Sequence, residues 1–250
     1  MHKSFTKTAF AGKHYVFLPS CPSTNDLASS LLKAGQAWEG TVVRSGTQTA
    51  GKGQRGNTWE SEPGQNLLFS LVLSPRFLSV TDQFQLTLIS SLGIYDALSH
   101  YIPEGLRIKW PNDIYWQDRK IGGILIENSL RGQSIEHSVI GIGLNVNQRS
   151  FPVPSASSVA LITGSNLPLD ALHEEILLHI EKYYLRIRSG QSETLRHLFE
   201  ERLYRRNEPA SYHDGDTFEG IIRGVDASGL LQVEKEGTIQ RYDLKEISYR

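Results

Sequence analysis

Four strand-like segments follow one another without a helix between them, at residues 106–110, 113–117, 120–130 and 135–146. The second and third meet at Asp118-Arg119, which reads as a hairpin. This run constrains the fold most strongly. Helical spacing appears on both sides of it. Ser23-Thr24-Asn25-Asp26 has the form of a capping box with Ser23 as N-cap. Leu27, Ala28, Leu31 and Leu32 then recur at helical intervals, and Gly35 can end the helix. Residues 82–101 carry Leu86, Ile89, Leu92, Tyr95 and Leu98 at the same period. Short strands are read at 40–44 and at 66–73, the second a nearly continuous apolar run broken by Ser70 and followed by Pro75. The sum predicts an α+β chain: a mixed, largely antiparallel sheet packed by helices.

Residues 147–168 are rich in Ser, Pro and Asn and read as a loop, and helices are predicted at 169–188 and 191–205. Acidic and basic residues balance on these two helices, as on a solvated face rather than a nucleic-acid site. After Pro209 the pattern changes to strand-like runs at 217–225, 229–234 and 237–242, separated by glycine-containing turns. A small all-β unit of about 40 residues follows from that.

With 250 residues, the chain has room for one large domain, or one domain and a satellite. Its 26 basic and 27 acidic residues argue against a non-specific nucleic-acid coat or a membrane-surface protein. A hydrophobic content of 39% argues against disorder. The single cysteine, Cys21, cannot form an internal disulfide, which favours a reducing compartment. No apolar stretch reaches the ~18 residues of a membrane helix, and 1–13 has no signal-peptide core. A soluble cytoplasmic protein is expected.

The segment from Gln48 to Trp59 holds Gly51, Lys52, Gly53, Arg55 and Gly56, with no acidic residue between Arg44 and Glu60. Bare backbone N–H groups beside two cations suit an anion. Gly51-x-Gly53-x-x-Gly56 fits the dinucleotide fingerprint by letter, yet no helical stripe follows to receive a pyrophosphate. Gly46-x-x-x-x-Gly51-Lys52 begins a P-loop but lacks the hydroxyl residue that would hold Mg²⁺. Two readings stay open: a mobile surface loop, and a loop closing over an acyl phosphate or acyl adenylate.

Three further segments carry polar chemistry. Lys109-Trp110-Pro111-Asn112-Asp113 ends a strand and turns, exposing Asn112 and Asp113, as an ordinary hairpin turn also would. Lys120 precedes Gly122 and Gly123 inside a strand, where paired glycines mark close approach of a ligand or backbone. Gly141 and Gly143 break the next strand before Asn145, which a bulge and turn could equally explain.

Ser23-Thr24-Asn25, the loop from Gln48 through Gly51-Lys52-Gly53 and Gly56 to Trp59, Lys109-Trp110-Pro111-Asn112-Asp113, Lys120-x-Gly122-Gly123-Ile124-Leu125 with Glu127, and Gly141-x-Gly143-x-Asn145 together resemble the biotin–protein ligases in order and approximate spacing. The resemblance covers residues 15–147. It implies a biotin/lipoate ligase-like catalytic domain over 1–207 and a small SH3-like β domain over 208–250. It implies synthesis of biotinyl-5′-adenylate from biotin and ATP with Mg²⁺. Biotin then passes to one lysine of the carrier domain of a biotin-dependent carboxylase.

By resemblance, Ser23, Thr24, Asn25 and Gln48 contact biotin. Lys52, Gly53, Gln54 and Arg55 close over it, with Gly123 beside it. Lys120 bridges the biotin carboxylate and the phosphate. Lys52, Arg55, Trp59, Lys109, Asn112, Asp113, Lys120 and Asn145 serve ATP. Lys120, Asp113 and Arg55 are the catalytic residues, and no protein metal-ligand set is implied. Many relatives carry arginine where this chain has Lys52 and again where it has Gln54, so the bidentate fork is lost at both positions.

The residue types suit that chemistry. The biotin carboxylate is itself the nucleophile, so no enzyme Ser or Cys is needed, and Cys21 is expected to be a small buried residue near the site. Two anions must meet, and cations must offset their repulsion. A cluster of Arg44, Lys52 and Arg55, with Lys109 and Lys120 nearby in space, is expected to do so. Some bacterial members carry an N-terminal DNA-binding domain. With some twenty residues before Ser23, none is expected here, nor any DNA or membrane partner. The rival readings are a lipoate–protein ligase and a non-catalytic biotin-binding module.

Overall fold

The computed structural model of the chain describes residues 5–250, the Arg55 side chain apart. Strand β1 (Tyr15–Leu18) leads through helix α1 (Thr24–Lys33) to β2 (Val42–Ser45), which pairs with β1 in parallel. Then come β3 (Leu67–Leu73), α2 (Phe84–Ser99), β4 (Leu106–Lys109), β5 (Asp113–Trp116), β6 (Arg119–Arg131) and β7 (Ser134–Leu144). These strands form one sheet in the order β1-β2-β3-β7-β6-β5-β4. Every pairing after the first is antiparallel, as the helix-free run of strands predicts.

Helices α3 (Val159–Thr163), α4 (Leu169–Arg188) and α5 (Ser192–Glu201) follow. A second sheet contains β8 (Pro209–His213), β9 (Thr217–Val225), β10 (Leu231–Lys235), β11 (Thr238–Tyr242) and β12 (Ser248–Tyr249). It is antiparallel throughout, in the order β11-β10-β9-β8-β12. The mixed sheet with helices and a C-terminal β unit is therefore the expected fold. Three differences are local. β1, β8 and β12 are additional strands. The 147–168 loop contains α3, capped by Ser158 and closed at Gly164 (φ 78°). The helix expected at 191–205 ends at Glu201.

Strand alternation divides the large sheet into two unlike faces. On one face Leu67, Phe69, Leu71 and Leu73 of β3 and Ile140, Ile142 and Leu144 of β7 join the main core with Leu92 of α2 and Ile180 of α4. Each such side chain contributes about 1.5–3 kcal/mol by leaving water. α2 and α4 cross closely, since a Cβ on Gly93 would lie 2.5 Å from Ile180 Cγ1. On the other face, Val43, Val72 and Val139 form a small cluster with Ala28 of α1, against which Val16, Leu18, Leu27, Leu31 and Leu32 pack. Beyond that cluster the face presents Ser70, Gly123, Gly141 and Gly143, and there it carries the site. Tyr212, Leu231 and Val233 of the second sheet belong to the main core, and Trp110 Nε1 donates to the Gly229 carbonyl at 2.9 Å. Among the described residues, no helix is long and apolar enough to cross a membrane.

Candidate active site

The head of α1 forms the first wall. Ser23 caps the helix by accepting from Asp26 N–H at 3.4 Å, and the cap leaves Thr24 and Asn25 buried against the sheet. Asn25 fits there because β7 has no side chain opposite it: a Cβ on Gly141 would lie 2.3 Å from Asn25 Oδ1. Gln48 Oε1 accepts from Thr24 N–H at 2.8 Å. Cys21 is buried and bridges to Gln48 in the backbone, beside the site as expected. Ser23, Thr24, Asn25, Gln48, Lys52, Trp59 and Gly143 line a small pocket.

Trp59 forms the second wall. Its indole lies on a slot made by two cross-strand glycine partners, Gly123 of β6 and Gly143 of β7. A Cβ on Gly143 would lie 2.5 Å from the ring, and one on Gly123 3.2 Å. The glycines thus admit a side chain of the chain itself. The small pocket and two open clefts all border Trp59.

The first cleft, about 260 Å³, is lined by Lys52, Gly53, Gln54, Asn112, Asp113, Lys120 and Gly123, with Leu244 and Lys245 from the segment after β11. The second, about 860 Å³, runs from Trp59 and Lys120 past Asn145 to Pro63, Phe151, Pro152 and Val153.

Lys120 stands where the two clefts meet. Its Nζ lies 2.6 Å from Asp113 Oδ1, with the two side chains 36% and 22% exposed. That pair remains wet enough to exchange partners when an anion arrives. Asn112 donates to the Ile124 carbonyl, which fixes it at the cleft edge. Asn145 donates to the Ser157 carbonyl at 3.0 Å. Its Oδ1 is buried without a partner among the described residues, and so is Trp59 Nε1.

The remaining expected residues are placed as follows. Lys52 pairs with Asp26 at 2.5 Å, both half exposed. The hydrogen bond to Asp26 raises its pKa above the ordinary lysine value. Gly53 and Gln54 border the smaller cleft and not the small pocket. The Arg55 side chain lies outside the described residues. Lys109 lines none of the three cavities. Its ammonium is 3.2 Å from Tyr115 Oη and about equidistant from the Tyr115 and Tyr249 rings, at 4.6 and 4.5 Å. Burial among those rings lowers its pKa, with Asp113 acting in the opposite sense.

Arg44 corrects the expected cation cluster. It points to the opposite face of the sheet, where its Nη1 meets Asp170 of α4 at 2.6 Å. The reason is strand parity: Arg44 shares the face of Val42, not that of Val43. Nothing in the composition of residues 148–156 marks them as a cleft wall. Their place depends on a backbone bridge from Ala156 to Lys120. Ser70 and Glu127 also join the site, through Thr24 and Asn25.

A small polar pocket beside a lysine-bearing cleft suits an enzyme that activates a small ligand. The sequence matches the Biotin/lipoate A/B protein ligase family over residues 17–145, and the chain belongs to that family. It is 31% identical over 242 residues to the bifunctional ligase/repressor BirA of Bacillus spizizenii, covering 94% of this chain and 74% of that protein. It is 30% identical over 220 residues to the biotin–[acetyl-CoA-carboxylase] ligase of Paracoccus denitrificans, covering 84% and 89%. Among solved structures, it resembles the biotin protein ligase of Aquifex aeolicus in complex with biotin and ATP. The TM-score there is 0.81 at 26% identity, over 95% of this chain and 99% of that one.

Proposed function

We propose that this chain is an ATP-dependent biotin–protein ligase. It activates biotin as biotinyl-5′-adenylate and transfers the biotinyl group to one lysine of the carrier domain of a biotin-dependent carboxylase. The observation that carries this reading is the position of Lys120: beside Trp59, where the two clefts meet next to a small pocket. The head of biotin occupies the small pocket and its chain runs along Trp59. Adenosine lies in the large cleft, against Phe151, Pro152 and Val153, with Asn145 Oδ1 and Trp59 Nε1 supplying the unused acceptor and donor.

In the first step a biotin carboxylate oxygen attacks the α-phosphorus. The new O–P bond forms as the bond to the β-phosphate oxygen breaks, and pyrophosphate leaves. Lys120 turns from Asp113 to the reacting oxygens and offsets their charge. Lys52, Gly53, Gln54 and Arg55 close the loop side and exclude water from the mixed anhydride. Asn112 borders the phosphates, and Lys109 assists from behind Asp113. In the second step the acceptor amine attacks the acyl carbon and AMP leaves. Asp113, freed from Lys120, orients that amine and receives its proton.

Among the described residues no group of three or more His, Cys, Asp or Glu could hold a metal ion. Mg²⁺ enters with ATP as its counter-ion. We assign 1–207 to the catalytic domain and 208–250 to the SH3-like cap, whose Leu244 and Lys245 border the smaller cleft. A cytoplasmic location accords with the lone thiol and the need for ATP.

The test is incubation with ATP, biotin and a carrier domain, read by the carrier's mass. Gain of one biotinyl group is the expected result. No gain overturns the reading, and gain with lipoate but not biotin makes the protein a lipoate ligase.

A further inference from the structure

Ser70 is fully buried and is the one polar residue in the strand LLFSLVL. Its hydroxyl must be satisfied or its burial is costly. The hydrogen bonds around it can be directed from the residues whose roles are fixed. Asn25 Nδ2 lies 2.7 Å from Glu127 Oε2 and 3.3 Å from the Leu125 carbonyl. Both partners accept, so the amide orientation is set and Asn25 Oδ1 faces Ser70 Oγ at 2.6 Å. That oxygen can only accept, and Ser70 Oγ donates to it. Ser70 Oγ also donates toward Thr24 Oγ1 at 2.8 Å, so its one proton is shared between the two. The Thr24 hydroxyl donates in turn to Gln48 Oε1 at 3.1 Å, which also receives Thr24 N–H.

The Ser70 proton serves Thr24 and Asn25, the Asn25 amide serves Glu127, and the Thr24 proton serves Gln48 Oε1. At the pocket wall this leaves Thr24 Oγ1 with a lone pair, and Gln48 with its amide N–H groups. One acceptor beside donors matches a cyclic urea, whose N–H and C=O lie side by side. We propose that Ser70 and Glu127 are positioning residues for ureido recognition, acting through Thr24 and Asn25 as one hydrogen-bonded relay. The proposal rests on biotin being the substrate.

The experiment is calorimetric titration of biotin into the full chain, its Ser70→Ala and Glu127→Ala variants, and the double variant. Each single change is expected to weaken binding about tenfold, and the double change by no more than either alone, because one break disables the whole relay. Glu127→Gln, which keeps an acceptor oxygen for Asn25, is expected to recover most of the affinity. The KM for ATP should be unchanged in all of them. Losses that multiply in the double variant, or unchanged affinity in both single variants, would overturn the relay. Glu127 is exposed, so its variants give the result even if Ser70→Ala melts early. Failure of the unaltered protein to bind biotin would overturn the functional reading instead.

Discussion

The small pocket and the two clefts differ in how they are built. The pocket stands on the head of α1 and on β6 and β7, with Gln48, Lys52 and Trp59 completing its wall. Thr24 and Asn25 there are buried and bonded to Ser70 behind them. The clefts are lined largely by loops and hold Asn145 Oδ1, which has no partner among the described residues, and the partly exposed Lys120–Asp113 pair. One half is bonded within itself, and the other offers its groups to a ligand. This suits a two-step ligase, which must retain biotin while phosphates leave and an amine arrives.

The largest expected effect lies in the open half. Lys120→Ala should lower adenylate formation by about a thousandfold or more, measured by ATP–pyrophosphate exchange, because the developing phosphate charge loses its cation. Biotin affinity should fall far less, since only the carboxylate end of biotin meets Lys120. Equal loss in both would show that the halves are not separable.

Gly141→Ala strikes the self-bonded half. With the new Cβ 2.3 Å from Asn25 Oδ1, the helix head must move, and the KM for biotin should rise about a hundredfold while that for ATP holds. An unchanged KM for biotin would remove Asn25 from the pocket. Asn145→Ala should raise the KM for ATP about tenfold, by loss of one buried acceptor. It also removes the Nδ2 bond to the buried Ser157 carbonyl, so the melting temperature should fall by a few degrees while the KM for biotin holds. An equal rise in the KM for biotin would place Asn145 with the structural residues instead.

The smallest effect lies in the second sheet. Hydrogen bonds from Lys235 and then Tyr242 hold the Asp214 carboxyl below the ordinary aspartate value of 3.8. A carboxylate with a depressed native pKa stabilises the fold above its unfolded value and loses that contribution as pH falls through the native one. Asp214→Asn should therefore flatten the fall in melting temperature below pH 3.8 without touching activity at neutral pH. The same acid sensitivity in the variant would assign it to other carboxylates.

Much of this was readable in order along the chain. The capping residue Ser23, the glycine pairs and the Lys120 strand announce themselves by local rules. Arg44 reads by sequence as a site cation and lies on the other face of the sheet, because a one-residue parity decides between faces. Ser70 read as a mere interruption of an apolar strand, although a lone hydroxyl in such a run signals a buried partner. The 148–156 wall and Lys245 were illegible for another reason. They reach the site only through non-local contacts, the Lys120–Ala156 bridge and the seating of the second sheet. The short strands β1, β8 and β12 likewise owe their pairing to neighbours rather than to their own composition.

The glycine slot beneath Trp59 has an optical consequence. The chain contains four tryptophans. Trp38 is stacked on His14 at the surface, Trp110 is tied to Gly229, and Trp116 donates to the Glu104 carbonyl. Trp59 alone stands at the junction of the pocket and both clefts, its N–H without an acceptor among the described residues. Its emission should shift as each substrate fills a neighbouring space, so the unlabelled protein can report biotin and nucleotide arriving in turn on a stopped-flow fluorimeter.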